Sequence, residues 1–304
     1  MEFFKKQTQI NFLGLRRWAI GLSLLLMMVS MGTLITKGLR WGLDFTGGSQ
    51  LQVSFNQPAN LPLLRKQLEA AGFKDTLVQS YGTSRDVLIS LAPHHTVTQQ
   101  GLSAQIINAL PGAKLKQIEY IGPQVGKELA TQGALAVFIA LLGIMIYIAL
   151  RFEYRFAVGA AVALIHDPIV ILGIFSLFDI EFNLTALAAI LAVIGYSLND
   201  SIVIFDRIRE NFRKLRKGTA VEVVNLSINQ TLSRTIMTSA TTLLVVLSLC
   251  VFGGRLIHSF ALALVIGIVV GTYSSIYVAG TIAVALGLDR RNFLPALKKV
   301  DDRP

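Results

Sequence analysis

Two carboxylates stand where carboxylates are costly. Asp200 lies in the run EFNLTALAAILAVIGYSLNDSIVIFD, with no other charge between Glu181 and Asp206, and that run is long enough to cross a bilayer as a helix. An ionised carboxylate inside such a helix costs roughly 2.5–3.5 kcal/mol on insertion scales, so it needs a partner or a purpose; the default purpose is the movement of protons or ions. Ser197 shares the helical face of Asp200 with Ala186, Ala189 and Val193, and Asn199 adds a hydrogen-bonding group beside it. Small and polar residues on one stripe are suited to packing against another helix.

A candidate partner opens another apolar run: Arg234, followed at i+4, i+7 and i+14 by Thr238, Thr241 and Ser248. That stripe could face Asp200 across an antiparallel neighbour. An Asp–Arg pair would solve the burial problem and would open whenever the acid took a proton. The alternative for Arg234 is snorkelling to the headgroups at the end of its helix. The second acid is Asp167, in His166-Asp167-Pro168, twelve positions from both Arg155 and Asp179 and so near mid-bilayer. Pro168 removes the bond to the Leu164 carbonyl and kinks the helix. A His next to an Asp can relay protons, since imidazole titrates near neutrality. The plainer alternative is a buried pair that satisfies the carbonyl freed by the proline.

The elements that must position these groups follow from composition. Of 304 residues, 53% are hydrophobic and only 15% charged, where a soluble domain is expected to carry about 25% charge. This is the composition of a membrane protein. The net charge of +10 is explained by where Lys and Arg collect in membrane proteins, so no nucleic-acid partner is expected. Cys250 is alone and reads as a small buried hydrophobe. Charge-poor runs mark six spans: Trp18–Thr36, Leu129–Leu150, Phe156–Phe178, Leu184–Phe205, Thr235–Phe252 and Phe260–Leu286. The first is too long for a signal h-region, lacks an A-x-A site and is expected to be retained. Gly267 and Gly271 form a GxxxG followed by Ser274 and Ser275, a pattern for close helix packing.

Lys5, Lys6, Arg16 and Arg17 precede the first span, six bases fall between Arg207 and Lys217, and Arg290, Arg291, Lys298, Lys299 and Arg303 follow the last, whereas Phe178–Phe182 carries Asp179 and Glu181 and no base. The positive-inside rule puts both termini in the cytoplasm. The chain then divides into a cytoplasmic amino terminus (1–17), a first helix (18–36), a periplasmic domain (37–128), a five-helix region (129–286) with a cytoplasmic loop at 206–234, and a cytoplasmic tail (287–304). Within the periplasmic stretch the pattern is strand 48–55, helix 61–72, strands 76–82 and 86–91, helix 98–110 and strand 114–121, the βαββαβ order of a ferredoxin-like domain. His94-His95 after Pro93 reads as a solvated loop, with a metal role the alternative. No nucleophile elbow, metal motif or phosphate loop occurs, so neither an enzyme nor a cofactor is expected.

Several segments together resemble a known family. WGLDFTGG (41–48), GPQVGKEL (122–129), His166-Asp167, GYSLNDSIVIFDRIREN (195–211) and NQTLSRTIMTSATT (229–242) are similar, in order and over nearly the whole chain, to the SecF family of the bacterial SecDF protein-export complex, within the resistance–nodulation–division superfamily. One departure is Pro168, where a β-branched residue is expected. The resemblance implies pairing with SecD, work alongside the SecYEG translocon on a translocating preprotein, and room for an insertase and small accessory subunits. It implies that the proton gradient drives late preprotein movement. The family's intramembrane carboxylate falls on Asp200 and its arginine on Arg234. On the reading of the residues themselves, Asn199, Ser197 and Thr238 are subsidiary to that pair, and His166 and Asp167 are a candidate secondary relay. Trp41, Asp44, Gly47 and Gly48 tie the spans to the periplasmic domain. Two other readings remain at this stage: a stand-alone exporter of lipids or small hydrophobic molecules, and a structural subunit that conducts nothing.

Overall fold

The computed structural model describes residues 8–73, 76–91, 99–215, 217–254 and 257–289. His94, His95, Lys5, Lys6 and the basic residues from Arg290 onward lie outside the described residues.

Among the described residues, six helices are long and apolar enough to span a membrane, as in a multi-pass membrane protein. They are α1 (Arg16–Thr36), entered through the short turn Leu13–Leu15, α5 (Pro123–Arg151), α6 (Tyr154–Leu177), α7 (Leu184–Lys214), α8 (Ala220–Phe252) and a last span made of α9 (His258–Tyr273), a π-helical turn (Ser274–Ala279) and α10 (Gly280–Ala285). Between them lie β1 (Arg40–Trp41), the single turn α2 (Leu43–Thr46), β2 (Gly48–Ser54), α3 (Leu61–Ala70), β3 (Thr76–Tyr81), β4 (Thr83–Leu91), α4 (Gln99–Ala109), β5 (Lys114–Ile121) and β6 (Glu181–Phe182).

The α+β domain has the expected ferredoxin-like form. Its antiparallel sheet runs β3-β4-β2-β5. Alternate residues Leu51, Val53, Val78, Val87, Ile89 and Leu91 bury one face against Leu64 and Leu68 of α3 and Leu102 and Ile106 of α4, which the two-residue period of a strand requires. Asn60 caps α3 by accepting from the Leu63 amide. On the opposite face Lys116 and Thr83 hold the Asp86 carboxyl down at about 2.

The helical stretch between the fourth and fifth spans corrects one expectation. Residues 206–234 are not a loop: α7 continues to Lys214 and α8 begins at Ala220. Charges in this stretch pair along one helix, Arg207 and Lys214 with Glu210, while Ile208, Asn211 and Phe212 stay buried. Thr219 and Glu222 then form a capping box that starts α8. At 1.5 Å per residue, α7 is about 46 Å long, well beyond the roughly 30 Å of hydrocarbon it must cross. The charge run ends the apolar stretch of α7 but not its helix.

In the bundle, α6, α7 and the last span form the centre, with 61%, 50% and 56% of their most apolar windows buried, against 11% for α1, α5 and α8. Small residues permit this closeness. A Cβ on Gly267 would meet Val193 at 2.2 Å, and one on Gly271 would meet Ser197 at 3.0 Å, as the GxxxG pattern predicts. Gly267→Ala should therefore cost about 1–3 kcal/mol by overpacking. Thermal unfolding in detergent should show a lowered midpoint; an unchanged midpoint would mean α7 and α9 do not meet there.

Candidate functional site

Both predicted carboxylates are buried in the centre of the bundle, Asp167 1% and Asp200 3% exposed, but their surroundings differ. Asp167, on α6, collects three partners. Its Oδ2 accepts from the Ser197 hydroxyl of α7 at 2.6 Å and from the Ser274 hydroxyl of the π-turn at 2.8 Å, and its Oδ1 meets His166 Nδ1 at 2.9 Å. One carboxylate thus joins three spans. The neighbouring π-turn residue, Ser275, donates to the Ser197 carbonyl and accepts from the Ser201 hydroxyl. Pro168 sits inside an unbroken helix. The pair is not spent on the Leu164 carbonyl: its bonds go to one another and to the serines.

Asp200 has no such company. Its side chain accepts no hydrogen bond from the described residues, and its shielded Oδ2 is without a partner. Asp200 and Arg234 make no close salt bridge among the described residues: the carboxylate is buried and the guanidinium exposed, so Arg234 acts on Asp200 only through its charge. The inward face of α8 is set by Val224, Ser227, Ile228, Thr231 and Thr235, and Arg234 is turned off that face and exposed. Thr238 returns its hydroxyl to the Arg234 and Thr235 carbonyls of its own helix. Thr241 and Ser248 do likewise with Met237 and Leu244. Asn199 is exposed, and Ser197 belongs to Asp167. The polar stripe on α8 is real, but it faces out of this chain.

Trp41, Asp44, Gly47 and Gly48 lie together at the other end of α7. Strand β1 pairs in parallel with β6, and the Gly42 amide donates to the Phe182 carbonyl at 2.8 Å. Trp41 lies edge-on to Phe45 and Phe182, which stack on each other at 5.8 Å. Arg40 pairs with Asp179 at 3.6 Å, supplying the base that the acidic loop lacks in sequence. Asp44 Oδ2 accepts from the Leu184 amide at 2.7 Å, so a carboxylate from α2 sits on the first turn of α7, where the helix dipole favours it. Asn183 caps the same turn by accepting from Ala186. Gly47 and Gly48, at φ of +67° and +125°, turn the chain from α2 into β2, and the backbone of Gly47 lies against Pro123 and Gly126 at the start of α5.

Sequence reading missed one feature at the opposite end. Asn225 and Asn229, one turn apart on α8, hold the amino-terminal segment: Ile10 donates to Asn229 Oδ1, Leu13 donates to Asn225 Oδ1, and both side-chain amides donate to the Ile10 carbonyl. Their i, i+4 spacing on the motif helix was the available signal.

Comparisons with known proteins agree with this architecture. The family model described as protein export membrane protein SecD/SecF, C-terminal, matches residues 103–289, and that of the SecD/SecF GG motif matches residues 32–59. The chain is 48% identical to the protein translocase subunit SecF of Vibrio alginolyticus, over 97% of this chain and 95% of that one. It is 47% identical to the SecF of Pseudomonas aeruginosa, over 97% and 98%. The crystal structure of SecDF from Thermus thermophilus, a translocon-associated membrane protein, superposes with a TM-score of 0.85 at 38% identity; it covers 93% of this chain, while the present chain spans 39% of that one.

Proposed function

Because this chain belongs to the SecD/SecF family of protein-export membrane proteins, we propose that it is the SecF-type half of a proton-driven complex that assists preprotein translocation. SecD supplies the other half, and the SecYEG translocon supplies the substrate. Both termini lie in the cytoplasm and the α+β domain in the periplasm.

One observation carries the mechanism: Asp200, buried and unpartnered, rides on the same helix whose first turn is gripped by Asp44 from the α+β domain. A proton arriving on Asp200 removes a charge that the apolar bundle penalises. The rotation or tilt of α7 that this permits is passed through Asp44 and the β1–β6 pairing to the domain that meets emerging polypeptide. The outward stripe of Arg234, Thr241 and Ser248 fits a surface that the spans of SecD cover, since such groups are not left facing lipid. Arg234 then pairs with an acid across the subunit boundary, and Asp200 exchanges protons within reach of it. One charge crossing 100 mV yields about 2.3 kcal/mol, so several protons serve each pull.

The test is Asp44→Ala in vesicles carrying this chain with its partner and the translocon. The helix cap lost is worth about 1 kcal/mol, too little to unfold the bundle, but the uncoupler-sensitive part of preprotein import should fall to background. Import that stays fully uncoupler-sensitive in the variant would show that the Asp44 contact does not transmit the movement.

A further inference from the structure

We propose that His166 and Asp167 are a second protonation site of the same cycle, in which the proton enters at His166 Nε2 and the charge of Asp167 decides whether the π-turn of the last span stays latched to α6 and α7. This inference rests on the proton-driven reading of the bundle and extends it to a second carboxylate.

Three observations support it. His166 is buried, yet its Nε2 has no hydrogen-bond partner among the described residues, while its Nδ1 is committed to Asp167. A buried imidazole with one open nitrogen leaves a polar atom unsatisfied, which proteins avoid without a reason. Asp167 takes both serine hydroxyls on one oxygen, so a single carboxylate oxygen holds α7 and the π-turn together. One of those serines stands on a six-residue π-helical turn, a geometry that recurs at functional sites.

The proton balance closes without another reactant. A proton binds Nε2; the Nδ1 proton passes to Asp167 Oδ1; His166 ends neutral with its tautomer reversed, and Asp167 ends as a neutral acid. Ser197 and Ser274 then lose a charged acceptor, which weakens two charge-assisted bonds together. Release runs the same steps backwards. Around Asp167, α7 contributes Asp200, a turn beyond Ser197, and Tyr196 beside Ser197, whose hydroxyl donates to Ser239 of α8. Tyr273 flanks the π-turn and is itself held by the Ala19 carbonyl and Ser23, and Tyr277 lies within the turn. From α5 come Tyr147 and Arg151, the latter engaged with Asp206. Arg16 and Arg17 of α1 and His258 of α9 stand at the starts of their helices, and α10 has no titratable side chain. Among the described residues no Lys or Arg pairs with Asp167.

The experiment is infrared difference spectroscopy of the complex in lipid between alkaline and acid pH, read at the carboxylic-acid C=O stretch, alongside uncoupler-sensitive import. Wild type should show two buried acid bands. Asp167→Asn, which keeps an acceptor for both serines, should abolish one band and lower gradient-dependent import by about tenfold or more; Asp200→Asn should abolish the other. If Asp167→Asn fails to fold, Ser197→Ala, which leaves both acids in place, should shift the Asp167 band and leave that of Asp200. An unchanged spectrum in both of these variants, or full import with Asp167→Asn, overturns the second site while leaving Asp200 standing. Loss of import with no change of either band in Asp200→Asn would instead sink the reading on which this one rests.

Discussion

Asp200→Asn should yield a chain that inserts and folds at least as well as wild type but loses gradient-stimulated export. The two effects come from one cause. The Asp200 side chain is 3% exposed and makes no hydrogen bond with the described residues, so the folded protein bears the cost of a buried carboxylate offset only by the charge of Arg234. Replacing it by a neutral isostere removes that cost, up to the roughly 2.5–3.5 kcal/mol of membrane burial. Function moves the other way, because an amide cannot take and release a proton. The expected record is an unchanged or raised melting midpoint together with loss of the uncoupler-sensitive fraction of preprotein import, a trade of activity for stability of the kind functional sites display. Asp200→Glu should keep part of the import. Wild-type uncoupler sensitivity in Asp200→Asn would end the proton role of this residue.

The second large effect concerns Gly48. At φ +125°, a Cβ there would lie 2.3 Å from the Leu91 carbonyl oxygen, which belongs to the neighbouring strand and has no freedom to retreat. Gly48→Val therefore combines a backbone conformation that L-residues resist with a clash against paired backbone, for a cost of about 2–5 kcal/mol. The damage falls where α2 enters the sheet, so the α+β domain and its tie to the spans should fail together. Limited proteolysis should cut the α+β domain of the variant faster while the membrane helices stay protected. Equal protection would mean that β2 and β4 tolerate separation at that end. Gly82, also at positive φ but with open space around its Cβ position, serves as the contrast: substitution there carries the conformational penalty alone.

Much of this was legible in one dimension. Six apolar runs, the βαββαβ order and the intramembrane acids follow from hydropathy, strand and helix periods and the rarity of charge in lipid, which are local properties. The motif segments placed Asp200, Arg234 and the Trp41–Gly48 tie in one family. What stayed out of reach were the pairings, since a helix presents several faces and spacing within one helix does not say which neighbour each face meets. Arg234 was a sound partner for Asp200 by depth and sign, yet the inward face of α8 is the one bearing Thr231 and Thr235. Ser197, one turn from Asp200, was assigned to it by proximity along the chain. It is bound instead to Asp167, thirty residues away, because Gly267 and Gly271 draw α9 against α7 and bring α6 into the same layer. Sequence alone determined which charges must be buried and where the chain crosses the membrane, for those are costs each segment meets by itself. Which buried carboxylate is satisfied and which is left without a partner was decided by the tertiary structure, because hydrogen bonds between spans exist only once the helices have chosen their neighbours.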